Sequence, residues 1–496
     1  MSKLRKVMSV IVIFFWMNAL IPQAHAISND KILKIERFVE EQMEISKIPG
    51  ISLVVVEKGK TVYQKGFGYA DVKEKKPVTS NTLFELASTS KAFTGLAILQ
   101  LEKEGLLKRT DDVRKYIPWL ELEYNNEPQT ITIDQLLFHT SGIASNTIVQ
   151  IPKSNAENAL ELTVKTLVDQ PLNRKPGSSF EYATLNYNVL GLVIETVSNQ
   201  PYDVYIKQLL DQIGMKDSYV GLHQVGSNEL ATGYKIGFKK EQEFTPPLYR
   251  GNTPAGYIIS NSNDIAKWLN LQLGFIQNDI ISRQTIEESQ VPDQSVEPFD
   301  QNTYYTSGWS ILEKNGKKYI FHAGENPTFT TYFIMQPDEK IGVAILSNMN
   351  STYTTAIGQG VMDLWEGNPV NSNHSDGYQE IDKIVTILCI IVGCLGLIFS
   401  SLLLISLWKI KRKQRTWAVL KGMRIFLLVF HSLFVSAILI LVMVAPKILN
   451  MTWDFIKVWG PTSISVFYYC GIATIIIYYL FVLLLILTKK KVKSIL

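Results

Sequence analysis

The sequence predicts an α/β (α+β) fold: an antiparallel sheet flanked by helices, with a largely helical inserted region, followed by three transmembrane helices. Three observations predict it. Strand-like runs rich in β-branched residues lie at 51–57 and 61–69, and again at 318–323, 329–335 and 341–346. Between these groups, to about residue 275, helical segments alternate with Gly/Pro/Asn loops. Beyond them lie three apolar runs at 384–408, 425–445 and 463–487, each long enough for the ~20 helical residues that cross a hydrocarbon core.

The elements follow in order. Ile32, Ile35, Phe38, Val39 and Met43 recur at helical spacing over residues 30–47, and Pro49-Gly50 stops that helix. Lys58-Gly59-Lys60 turns the first strand into the second. A helical run over 88–104 ends at Gly105. Pro337-Asp338 separates the last two strands as an antiparallel turn does, and a helix over 354–365 closes the domain. A helix, two strands, a helical middle, three strands and a helix imply one sheet whose first and last strands meet across the insert.

Residues 1–26 read as a secretory signal. Lys3, Arg5 and Lys6 precede an apolar stretch, and Ala24-His25-Ala26 supplies the small residues of a cleavage site. The expected organisation is a signal at 1–26, a folded domain at 27–366, a polar linker at 367–383 and a membrane domain at 384–496. The 409–424 loop carries seven basic residues and no acid, and Lys489, Lys490, Lys491 and Lys493 crowd the tail. By the positive-inside rule the loop and the C-terminus face the cytoplasm of the cell membrane, and the folded domain lies outside. The net charge of +4 hides a division: +3 in the signal, +12 in residues 381–496 and therefore −11 in residues 27–380. An acidic exported domain gives a nucleic-acid partner no electrostatic support. Cys389, Cys394 and Cys470 all fall in the membrane domain, which excludes a disulfide framework and a multi-Cys zinc module.

No His-Glu-x-x-His, no phosphate-binding loop and no Gly-x-Ser-x-Gly elbow is present, and neither a metal nor a cofactor is implied. What remains is Ser88-Thr89-Ser90-Lys91. On a helix, residues three apart share a face, so Lys91 reaches the Ser88 hydroxyl. A lysine among apolar groups loses its charge more readily and becomes a usable base. The same spacing recurs at Ser28/Lys31 and Ser406/Lys409, at the expected cleavage site and a membrane boundary, where no enclosed site can form.

The setting, Phe84-Glu85-Leu86-Ala87-Ser88-Thr89-Ser90-Lys91-Ala92-Phe93-Thr94-Gly95, is accompanied by Leu136-Leu137-Phe138-His139-Thr140-Ser141-Gly142. Phe180-Glu181-Tyr182-Ala183-Thr184-Leu185-Asn186-Tyr187, Pro254-Ala255-Gly256 and His322-Ala323-Gly324 follow in order. In these motifs the chain resembles the serine β-lactamase and penicillin-binding-protein superfamily, in its class C-related branch. The resemblance covers the exported domain and implies a serine β-lactamase-like fold. It implies that Ser88 is the acylated nucleophile, that Lys91 and Tyr182 form its proton-transfer pair, and that the backbone N–H groups of Ser88 and Glu325 form an oxyanion hole. It places His322 and Gly324 on the strand lining the substrate, while His139 is read as shaping a loop.

Thr184 stands where the family's Tyr-x-Asn motif has Asn, which in penicillin-recognising members holds the substrate amide. With the three membrane helices, this resembles the prodrug-activating peptidases of nonribosomal-peptide antibiotic pathways (colibactin and zwittermicin types), which remove an N-acyl-D-asparagine cap. The implied activity is a membrane-anchored serine peptidase whose partners are the lipid bilayer and an acylated, D-amino-acid-containing substrate. Asn326 and Asn252, or its neighbour Thr253, become candidates to bind the cap. The alternatives are a cell-wall D,D-peptidase, esterase or penicillin-binding protein of the same chemistry, and a non-catalytic membrane sensor that is acylated without turnover.

Overall fold

A computed structural model describes residues 29–226, 230–276 and 280–491; the signal expected at 1–26 and Lys493 of the basic tail lie outside the described residues. The main sheet contains β1 (Gly50–Glu57), β2 (Lys60–Asp71), β3 (Lys76–Pro77), β4 (Thr303–Tyr305), β5 (Ser310–Lys314), β6 (Lys317–Glu325), β7 (Thr330–Gln336) and β8 (Ile341–Ser347), in the order β4-β5-β6-β7-β8-β1-β2-β3. All pairings between neighbours are antiparallel. The first strand meets the last, with Ile51 opposite Ser347 and Val54 opposite Ala344. Strands β7 and β8 are buried along their whole length and β1 along all but its last residue, which is why they read as nearly continuous apolar runs instead of alternating ones.

Four helices of the folded domain frame the site: α1 (Asn29–Ser46), α2 (Lys91–Lys103), α3 (Leu185–Ser198) and the closing α4 (Tyr353–Glu366). Successive side chains of β1 point to opposite faces. Leu53 and Val55 join a core with Ile35, Phe38 and Val39 of α1 and Ile357, Val361 and Trp365 of α4. Val54 and Val56 join the larger core of the helical insert. Helix α2 runs through that core, with every residue from Lys91 to Leu101 buried, so its apolar residues are not confined to one stripe. It ends in a Schellman motif: Gly105 adopts φ 76°, Gly105 N–H donates to Glu102 O at 2.9 Å and Leu106 N–H to Leu101 O at 3.0 Å.

The C-terminal region holds α5 (Gly377–Lys411), α6 (Met423–Val444), the short α7 (Trp453–Trp459) and α8 (Thr462–Leu487). Three helical stretches, Gly377–Lys411, Met423–Leu449 and Thr462–Leu487, are long and apolar enough to cross a membrane. Helix α5 begins at Gly377, inside the stretch expected to be a linker, because Asp376 caps it by accepting from Tyr378 N–H at 2.8 Å. At the far end, the strands Arg415–Trp417 and Thr488–Lys490 pair, gathering the basic loop and the described part of the tail. At the near end the folded domain grips α7. Lys153 pairs with Asp454 at 2.9 Å, and the buried Lys235 donates to the carbonyls of Lys457 and Val458 at 2.8 and 3.0 Å.

The start of α2 is braced by stacked rings. Phe93 lies 3.9 Å from Trp268, which stacks at 6.3 Å on Trp309. All three side chains have no exposed surface. Replacing Phe93 by Ala should cost about 3–5 kcal/mol, measured as a lowered denaturation midpoint of the full-length protein in detergent.

Candidate active site

The chain leaves the short strand Phe84–Glu85 and turns abruptly. Ala87 takes φ 49°, a left-handed conformation that costs an L-residue roughly 1–2 kcal/mol. Residues Ala87–Ser90 form a 3₁₀ turn and α2 starts only at Lys91, so Ser88 precedes the α-helix on which the spacing argument placed it. The reach survives: Lys91 Nζ donates to Ser88 Oγ at 3.0 Å and to the Ala255 carbonyl at 2.8 Å. Ser88 is half-buried and Lys91 has no exposed surface. Burial without a facing carboxylate brings the Lys91 amine down to about 7.

Tyr182 reaches this pair through a loop that the His139-Thr140-Ser141-Gly142 segment shapes. Glu181 N–H donates to His139 O at 2.9 Å and Gly177 N–H to Thr140 O at 2.8 Å. The Asn186 side chain, on α3, accepts from Ser141 Oγ at 2.6 Å and donates to His139 Nδ1 at 2.8 Å. Nδ1 is therefore the acceptor, and burial first, then the nearby Lys91, keeps this imidazole neutral. Its ring lies 4.3 Å from that of Tyr182 and 4.7 Å from that of Tyr305. Burial raises the Tyr182 phenol, partly offset by its hydrogen bond with the Ser88 hydroxyl. The Lys91 amine sits 5.1 Å from the Tyr182 ring and 5.8 Å from that of Tyr187. Thr184 stands at the N-cap of α3 but makes no side-chain cap.

Strand β6 closes the other side. A Cβ on Gly324 would lie 2.5 Å from the Leu86 carbonyl oxygen, so only glycine lets this strand approach the backbone just before Ser88. The His322 ring is 6.1 Å from that of Tyr182. Both of its nitrogens have partners, Nε2 with the Tyr305 hydroxyl at 2.9 Å and Nδ1 with the Ala323 carbonyl at 2.7 Å. Burial, with Lys91 adding repulsion, brings it down to about 3, so the ring is neutral, donating from Nδ1 and accepting at Nε2.

Ser88, Lys91, Tyr182, His322 and Gly324 thus come together at one place. The two asparagines also make internal hydrogen bonds. Asn326 is 2% exposed, and its amide nitrogen donates to Glu85 at 2.6 Å and to Gly256 O at 2.9 Å. It ties three site segments together. Asn252 accepts from Asn188 of α3 at 3.0 Å. The segment 254–256 is pinned beside the nucleophile by Lys91 through Ala255 O and by Thr94 through Pro254 O.

Two side chains of the site escaped the sequence reading. Glu85 is fully buried and pushed up to about 7 by desolvation, which its bond from Asn326 opposes; a lone acid in the apolar run before Ser88 was its signal. Tyr305 comes from β4, 17 residues before His322, and had no local signal of its own. Among the described residues no group of three or more His, Cys, Asp or Glu side chains could hold a metal ion.

The beta-lactamase family profile matches residues 35–359. Protein flp of Staphylococcus aureus (strain COL) is 30% identical over 452 residues, covering 88% of each chain. The solved octameric penicillin-binding protein homologue from Pyrococcus abyssi is 30% identical with a TM-score of 0.61, over 71% of this chain and 81% of that one. EstCE1, a hydrolase with promiscuous acyltransferase activity, shares the fold at 20% identity with a TM-score of 0.56, over 65% of this chain and 95% of its own. With the match spanning both outer helices, the sheet and the insert between them, the chain belongs to the beta-lactamase and penicillin-binding-protein family of serine hydrolases.

Proposed function

We propose that this protein is a membrane-anchored serine peptidase that works through an acyl-Ser88 intermediate and cleaves an amide next to an acylated D-amino acid. The folded domain faces the outside of the cell membrane, and the basic loop and tail face the cytoplasm. The observation that carries the catalytic part is the Lys91 amine: fully buried, near neutrality and 3.0 Å from Ser88 Oγ. In its neutral form Lys91 takes the Ser88 proton as Oγ attacks the scissile carbonyl carbon. The carbonyl oxygen becomes an oxyanion facing the backbone N–H groups of Ser88 and Glu325, which are preorganised for that charge. Collapse re-forms the carbonyl and breaks the C–N bond. The Tyr182 phenol gives its proton to the leaving nitrogen and recovers one from Lys91. Water then adds to the acyl ester, its proton returns through the same pair to Ser88 Oγ, and the carboxylic acid leaves.

The substrate class rests on Thr184 in the Tyr-Ala-Thr motif and on the apolar helices docked to the folded domain, which suit an acylated, amphiphilic substrate. Thr184, His322, Gly324, Asn252 and Asn326 are the proposed contacts, and Asn326 also bonds Glu85 and Gly256.

A fluorophosphonate probe should label the full-length protein and fail to label Ser88→Ala; labelling that persists at another residue rules the mechanism out. Incubation with N-acyl-D-asparagine amides should release the amine faster than D-Ala-D-Ala peptides are cut, and inactivity on the former discards the prodrug reading in favour of a cell-wall peptidase.

Because the neutral amine is the active form, acylation should rise about tenfold per pH unit below about 7 and level off above it. Glu85 titrates in the same window, so the assignment needs a variant: Glu85→Gln should keep the limb. Lys91→Arg, which holds its charge at any working pH, should lower the acylation rate by a factor of about 10²–10⁴. A flat profile in the wild type contradicts the assignment of Lys91.

A further inference from the structure

The residue after His322-Ala323-Gly324 makes a contact that family membership does not explain. Glu325 ends β6, and its carboxylate accepts a hydrogen bond from the Tyr378 hydroxyl, on the first turn of α5. That turn is held from several sides. Asp376 Oδ2 accepts from Ser351 Oγ at 2.6 Å and from Thr352 N–H at 3.0 Å, which ties the N-terminus of α5 to the connection between β8 and α4. The Thr352 hydroxyl pairs with His374 Nε2 at 2.9 Å, and the Tyr353 hydroxyl donates to His374 O, also at 2.9 Å. Gln379 Nε2 donates to the carbonyls of Ile45 and Ser46 at the end of α1. One turn further on, Asp382 accepts from the backbone N–H groups of Phe238 and Lys239, at 2.9 and 2.7 Å, in the tight turn between strands Tyr234–Gly237 and Lys240–Glu243. Both turn residues have positive φ, 55° and 63°.

Five residues separate Asp376 from Asp382 in the juxtamembrane segment, and of the polar side chains from Asp376 to Asp382 all but Glu380 bind the folded domain. A passive tether needs none of this. Of these ties, the bond from Tyr378 is the one that touches the strand lining the active site. The backbone leading into Glu325 has no freedom on its other side either, since Gly324 packs against the Leu86 carbonyl and Thr331 Oγ1 donates to that same oxygen at 2.6 Å. The end of β6 therefore lies between the nucleophile turn and the first apolar helix.

We propose that Tyr378 is a positioning residue for the hydrolase site: its bond to Glu325 sets where the end of β6, and with it the Glu325 backbone N–H, stands relative to Ser88, so that the membrane-anchoring helix tunes the oxyanion hole. This rests on the reading of Ser88 and Glu325 given above. The bond is made by a side chain outside the family-matched region, residues 35–359. The oxyanion hole of this protein is thus completed by its membrane segment.

The test uses full-length protein in detergent micelles and a chromogenic ester hydrolysed in a Ser88-dependent way. Tyr378→Phe removes only the hydroxyl. It should lower kcat about tenfold with KM little changed, because a displaced oxyanion donor weakens the transition state more than the ground state. Glu325→Ala should lower kcat to the same extent, and the double variant should be no worse than either single one. Gln379→Ala loosens the same helix turn without touching β6 and should keep the wild-type kcat. If Tyr378→Phe retains full kcat while Ser88→Ala is inactive, the inference is overturned and the acyl-serine reading stands. If Gln379→Ala loses as much as Tyr378→Phe, general docking of the helix is responsible and the specific bond is not. Hydrolysis that persists in Ser88→Ala removes the reading beneath both. An unchanged melting temperature in Tyr378→Phe separates positioning from instability.

Discussion

A lysine amine with no access to water sits at the centre of this site, and much of the surrounding structure follows from keeping it there. Moving an amine from its ordinary 10.5 to about 7 corresponds to roughly 5 kcal/mol of bias against the charged form. Enclosure without a counter-charge produces that bias. The enclosure comes from α2 buried along its first three turns, from the rings of Tyr182 and Tyr187, and from the Ala255 carbonyl that accepts a hydrogen bond from the amine. An aspartate or glutamate facing Nζ would restore the charge and remove the base. Glu85, buried just before the Ser88 turn, is held by Asn326 and is itself biased toward its neutral form.

The same desolvation that makes the base also constrains its neighbours. His139 and His322 are both buried within the field of Lys91, and both stay neutral. Their hydrogen bonds go instead to Asn186, Ala323 and Tyr305, and they act as fixed struts for the Tyr182 loop and the β6 strand. In the proposed mechanism, proton transfer is left to Ser88, Lys91 and Tyr182. Asn326 works in a similar way. By joining Glu85 to Gly256 it holds together the segment before the nucleophile, the segment behind the lysine and the end of β6.

The apolar helices are integrated with this arrangement. Asp382 holds the turn at Phe238–Lys239, Lys235 caps the end of α7 through two carbonyls, and Tyr378 reaches the active-site strand. The folded domain and the near ends of the apolar helices share hydrogen bonds at several separate points. A hydrolase held this way has its cleft oriented relative to the helices, and not free to rotate on a flexible stalk.

Much of this was legible in the sequence because the determining signals are local. A run such as 51–57 is β-branched and apolar on both faces, and that pattern belongs to a central strand. Gly105 ends a helix through its own backbone freedom. Three uninterrupted apolar stretches exceed the thickness of a hydrocarbon core. Ser88, Lys91 and Tyr182, which the structure brings together, stand in short motifs whose order along the chain carried the family. The sequence by itself determined the fold class, the family and the residue types available for chemistry. Only the tertiary structure decided which atoms face one another. It bonded Asn326 to Glu85 and Gly256, brought Tyr305 across one intervening strand to His322, and started α5 at Gly377 inside an apparently polar linker. The reason is physical: strand identity and membrane length depend on neighbours within a few residues. Desolvation and hydrogen-bond partnership depend on groups such as Asn326 and Glu85, 241 positions apart along the chain, that meet only when the sheet closes.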